Sequence, residues 1–187
     1  MALINSTFSK HSDFLLSPET GRAGSPFKRT LILGYGNPDR QDDGVAVHIL
    51  EMLAKRLELD FDAQLTEVED LNAPMALLFA QQLMPEHAET VAAYERVCFV
   101  DAHTGSVPND LNIQTVQPVY QKSPLTHHMT PDACLSIVET ISGKAPEAIL
   151  VSVRGYAFQF TQELSSPTQA LAEEAVECIL AWMNTPQ

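Results

Sequence analysis

Three polar stretches of the chain hold the residue types that metal and acid–base chemistry need. The stretch 34–44 reads GYGNPDRQDDG and ends in the adjacent acids Asp42 and Asp43. The apolar run VCFV ends on Asp101, with His103 two residues later. His127 and His128 stand directly ahead of Met129-Thr130-Pro131. Two carboxylates and one imidazole that leave positions open form a donor set for a divalent metal ion. In the first stretch Asp43 is the expected ligand because it opens the helix that follows, and Asp42 is left to cap that helix. Both acids can equally serve only to complement the helix N-terminal dipole. Asp101 is more telling, since an acid at the end of a buried strand puts a carboxylate at the rim of a sheet. A ligating histidine needs its tautomer fixed by an acceptor on the other ring nitrogen, and the sequence names none. The pair 127–128 can also be a plain hydrogen-bonding element of a loop. His103 fits support behind Asp101, contact with a substrate, or neither. His11, His48 and His87 are expected to face solvent.

Several common chemistries are missing. The third glycine of a dinucleotide fingerprint beginning at Gly34-x-Gly36 falls on Asp39, whose charge would repel a pyrophosphate. There is neither a phosphate-binding GK[ST] loop nor a GxSxG nucleophile elbow. Cys98, Cys134 and Cys178 are odd in number, far apart and set in apolar segments. They read as small buried hydrophobes rather than a disulfide framework, a zinc site or a nucleophile.

The elements that must position these residues follow from periodicity. Residues 28–34 (KRTLILG) form an apolar run ending in glycine, as a buried strand does. Residues 43–57 carry apolar groups at helical spacing through Val45, Ile49, Met52 and Leu53. A second strand is expected over 63–68, then helical pieces over 74–83 and 86–94 broken near Pro85. Residues 97–101 (VCFVD) read as a strand, and 111–116 alternate like a half-exposed edge strand. Thr130-Pro131 offers an N-cap and first-turn proline for a helix to 142, and 149–153 (ILVSV) is a last strand. Ser166, Pro167 and Gln169 supply an N-cap, an N1 proline and a capping-box glutamine for a closing helix to 183. Alternating strands and helices make an α/β sandwich with a mostly parallel sheet. In such sheets ligands bind beyond the carboxyl ends of the strands, where all three polar stretches fall.

The chain has 187 residues and a formal net charge of −13. That length suits one domain, over 28–187, behind a loose N-terminal leader over 1–27. The scarcity of Lys and Arg argues against a nucleic acid partner and against an anionic membrane surface. No apolar run reaches the roughly 18 residues of a membrane span, and the leader lacks the pattern of a secretory signal. The expected compartment is the cytoplasm.

The runs LILGYGNPDRQDDGVAVHILEML, FVDAHTG and THHMTPDACLSIV, in this order, resemble the hydrogenase maturation proteases. The likeness extends from about Thr30 to the final helix, with VRGYAFQF and LSSPTQA included. It implies a three-layer α/β/α fold around a five-stranded, mostly parallel twisted sheet. It implies an endopeptidase that removes the C-terminal peptide of a nickel-iron hydrogenase large-subunit precursor after nickel insertion. The metal-contacting and catalytic positions it implies are Asp43, Asp101 and His127, with His128 as the neighbouring choice. The nickel would arrive in the precursor, which is the expected partner of a monomeric chain. Many members carry a D-G-G-T-like loop after the second strand, where this chain reads 67–74, EVEDLNAP. A non-cleaving, nickel-sensing binding module for the same precursor and a general metal-dependent hydrolase of small amides are the competing readings.

Overall fold

The computed structural model describes residues 28–120 and 129–185. Five strands form one sheet in the order β2-β1-β3-β5-β4: β1 Thr30–Tyr35, β2 Met75–Ala80, β3 Arg96–His103, β4 Leu111–Val116 and β5 Glu147–Arg154. Four of them run parallel, and β4 pairs antiparallel with β5 at one edge. The helices are α1 Val45–Leu57, α2 His87–Ala92, α3 Pro131–Ser142 and α4 Ser166–Met183.

Strand alternation divides the core in two. Ile32, Cys98, Val100 and Val151 point to the face covered by α1 and α4, where they meet Ile49, Leu53, Ala175 and Ile179. Leu31, Leu33, Val97 and Phe99 point to the other face, where they meet Val91 of α2 and Leu135 and Val138 of α3. The central strands are therefore apolar on both sides, as a parallel sheet sandwiched by helices requires. The result is the expected three-layer α/β/α arrangement.

The second strand stands elsewhere than its sequence pattern suggests. Residues 63–68 lie in a polar, turn-rich connection where Leu65 is exposed, and β2 forms over Met75–Ala80, where a helix is the expectation. Met, Ala and Leu are good helix formers, but intrinsic propensity is small, and in-register pairing with β1 from Thr30↔Met75 to Tyr35↔Ala80 overrides it. The segment 67–74 consequently precedes β2, so it is not the loop that follows the second strand. The edge strand β4, and the ends of α3 and α4 at 142 and 183, match expectation.

Both ends of α4 are held by distant residues. At its start Ser165 is the N-cap, one residue earlier than expected, and Gln169 bonds Glu173 rather than closing a capping box. At its end the buried Arg96 guanidinium donates to the carbonyls of Trp182 (2.9 Å) and Met183 (3.3 Å) and stacks on the Trp182 ring. A cation there satisfies the terminal carbonyls of the helix and complements its dipole.

Candidate active site at the carboxyl rim of the sheet

The loop after β1 is folded tightly against itself. Gly36 has φ +144, and a Cβ there would collide with the backbone oxygen of Asp43. A Cβ on Gly44 would lie 2.6 Å from the Cα of Pro38. The two glycines thus let the ends of the loop close on each other, and a 3-10 turn over Gln41–Gly44 leads into α1. Asp43 accordingly sits in that turn, two residues before the helix, rather than opening it.

Asp42 and Asp43 then take opposite roles. Asp42 is fully buried and caps nothing in α1, contrary to the sequence expectation. Its Oδ2 accepts from Tyr156 N, Ala157 N and Thr168 Oγ1 at 2.8 Å and from Ser165 Oγ at 2.7 Å. Its Oδ1 accepts from Ser165 N at 2.8 Å. Asp42 therefore serves the first turn of α4, from across the fold. Burial opposes its charge, and the donors of Ser165, Tyr156 and Ala157 outweigh that cost and hold the carboxyl below its ordinary range. Gly155 makes room for this arrangement, since a Cβ there would lie 3.0 Å from Asp42 Cβ.

The same loop is stitched to the segment after β5. Asp42 N donates to Ala157 O (3.2 Å), Gln41 N to Thr161 O (2.7 Å) and Gln162 Nε2 to Asp39 Oδ1 (2.8 Å). Asp43 is left half-buried, with no part in this stitching beyond its backbone bond to Arg40.

Asp101 stands near the end of β3, in register with Ser152 of β5. Its Oδ1 accepts from Ala102 N at 2.8 Å, and the phenol of Tyr35, at the end of the adjacent β1, lies close enough to favour the charged form of the same carboxylate. Burial pushes the Asp101 carboxyl up to about 7; the Ala102 and Tyr35 donors oppose this, and the charge of Asp43 adds to it. The two candidate carboxylates are thus close enough to repel. Burial, followed by the Asp101 charge, pushes the Tyr35 phenol above its usual range. Asp132 and Cys134 of α3 also act on Tyr35, which places the first turn of α3 at this rim.

Among the described residues, no cluster of three or more His, Cys, Asp or Glu is arranged to hold a metal ion. The predicted third member, His127, and its neighbour His128 lie outside the described residues, as does His11. Asp43 and Asp101 are the two predicted members brought together. Two carboxylates at neutral pH repel unless a proton or a cation joins them, so the pair is suited to receive a divalent ion.

The remaining histidines are engaged within the fold. His103 is buried, its Nδ1 accepting from Gly105 N (3.1 Å) and its Nε2 bonded with Asp110 O (3.3 Å), so it braces the loop between β3 and β4. His48 and His87 are half-buried rather than turned to solvent: His48 Nε2 meets Gln162 O at 3.0 Å and His87 Nδ1 accepts from Met84 N at 2.9 Å. Cys98 and Cys134 are buried and Cys178 is half-buried, all as free thiols. Burial pushes the Cys134 thiol up to about 12 and raises the other two, which keeps all three protonated at neutral pH.

No protein-family profile and no curated protein sequence matches the chain. Solved structures do. The [NiFe] hydrogenase maturation protease HycI from Thermococcus kodakarensis KOD1 is 21% identical over 84% of this chain and 94% of its own, with a TM-score of 0.59. The hydrogenase maturating endopeptidase HybD from E. coli is 23% identical over 83% of this chain and 91% of its own, with a TM-score of 0.60. HybD from Thermococcus kodakarensis, a [NiFe] hydrogenase maturation protease, is 18% identical over 83% of this chain and 99% of its own, with a TM-score of 0.57. The chain is similar to each of these along nearly the whole described domain, and it has their fold. No helix among the described residues is long and apolar enough to cross a membrane.

Proposed function

We propose that this chain is a hydrogenase maturation endopeptidase that removes the C-terminal peptide from a nickel-loaded large-subunit precursor. The observation that carries the reading is the pairing of Asp43 and Asp101 at the carboxyl rim of a fold shared with such peptidases. The pair is built for a cation that comes and goes. Asp43 is held only by the backbone of its turn, and Asp101 is partly buried against a like charge. Each carboxylate therefore gains from an arriving divalent ion. Nickel belongs to the substrate in this reading, and His127 supplies the imidazole that suits it beside the two acids. A precursor without the ion brings nothing to bridge the two acids, so it would bind poorly. The cytoplasm is the compartment in which such a precursor is found and processed.

Incubation with nickel-loaded precursor followed by mass spectrometry tests the reading. Release of a C-terminal peptide by the unaltered chain, and its loss in Asp43→Asn and in Asp101→Asn, is the expected result. Normal cleavage by both variants would falsify the assignment of the two acids. Tight binding of the precursor with no peptide released would replace the peptidase with a holding module.

A further inference from the structure

Phe160 is 95% exposed, more than any other large apolar residue described. A lone apolar side chain on a surface needs no explanation by itself. This one differs because its backbone is clamped on both sides. Thr161 N donates to Gln159 O at 3.0 Å, closing a three-residue turn with Phe160 at its tip. Gln159 N donates to Gln41 Oε1 at 3.1 Å, and Gln41 N donates to Thr161 O at 2.7 Å. Arg40 and Thr161 add a bridge between the same two segments. The ring is therefore presented on an ordered turn, and docking it would lose little backbone freedom.

Its location and surroundings define what it fits. The other half of the clamp is Gln41, two residues from Asp43, so by chain reach the tip lies on the order of 10 Å from the candidate carboxylates. Gln41, Gln159, Thr161 and Gln162 flank it with uncharged polar groups, and Asp39, Arg40 and Glu163 stand just beyond them. An aromatic anchor within a polar rim is the anatomy of a protein-binding hot spot. We propose that Phe160 is the docking anchor for the precursor protein, inserting into an apolar pocket on the folded body of the large subunit. The inference rests on the maturation-peptidase reading for the identity of the partner. A second copy of this chain is the competing occupant.

The test is equilibrium binding of the nickel-loaded large-subunit precursor of the same organism to the full chain, for the unaltered protein, Phe160→Ala and Phe160→Leu. The ring touches no core group, so both variants should melt with the unaltered chain. Expected are a Kd raised about 10-fold or more in Phe160→Ala and a smaller rise in Phe160→Leu. A Kd within two-fold of the unaltered chain in Phe160→Ala, with cleavage intact, overturns the docking role and leaves the peptidase reading standing. Weakened binding by Phe160→Ala in a chain that binds but never cuts supports docking while refuting the peptidase. Absence of any binding by the unaltered chain overturns both. Sedimentation showing a dimer that Phe160→Ala dissociates, with precursor binding unaffected, assigns the ring to self-association and overturns the proposal.

Discussion

Replacing Asp42 by Asn should destabilise the domain more than any other single-atom change at the rim. The side chain is fully buried and its two oxygens accept from three backbone N–H groups and two hydroxyls. An asparagine offers one carbonyl oxygen, best placed at the Oδ2 position that serves Tyr156, Ala157, Ser165 Oγ and Thr168. Its amide nitrogen then faces Ser165 N–H, donor against donor. A buried donor left unsatisfied costs about 1–3 kcal/mol, and the remaining bonds fall from charge-assisted to neutral strength. Relief from burying a charge offsets part of this. The net loss is about 2–4 kcal/mol, a large share of a typical stability of about 5–15 kcal/mol. For a domain of this size it lowers Tm by roughly 5–15 °C. The pH dependence gives a second check. The folded carboxyl is held below its unfolded value, so its contribution is full above about pH 4 and fades as pH falls through the folded value. Urea denaturation of both proteins at pH 7 and in acid measures the gap. A difference under about 0.5 kcal/mol at pH 7, or one that fails to narrow in acid, refutes the reasoning.

Asp101 predicts the opposite sign. Its carboxyl is raised to about 7 by burial, so the metal-free fold loses stability as pH rises from the unfolded value toward 7. Asp101→Asn should therefore gain on the unaltered chain at pH 8 relative to pH 5, and equal gaps at the two pH values would count against this assignment. Gly36→Ala forces a Cβ onto the Asp43 carbonyl at a φ of +144, and should cost about 2 kcal/mol or more in urea denaturation. A neutral Gly36→Ala would mean that the loop closes in another way.

Much of this could be read from the sequence because the signals are local. Apolar runs such as VCFV and the Thr130-Pro131 helix start carry their own geometry, and the acid ending β3 is visible as soon as the strand is. What depended on distant pairing was not legible. Met75–Ala80 becomes a strand only because β1 is there to pair with it, while 63–68 has a strand-like alternation but no buried face to support it. The partners of Asp42 lie 114 to 126 residues away, so no local pattern separates it from Asp43 beside it. Tyr35 is hidden in the sequence because an aromatic between two glycines looks like a turn residue until the register of β1 with β3 sets it beside Asp101. The one available hint is its place directly after the apolar strand 28–34, at the ligand-binding rim.

The anchoring of α4 has a consequence for how the molecule opens. The helix has 18 residues, about 27 Å at its usual rise, comparable to the height of the eight-residue strands it crosses. Asp42, from the loop after β1, grips one end, and Arg96, at the start of β3, grips the other. Releasing the rim loop takes the acceptor from Ser165 N, Ser165 Oγ and Thr168 Oγ1 at the helix start, and freeing the helix takes those three donors from Asp42. The rim and the last helix should therefore open together, as one cooperative unit, in hydrogen exchange.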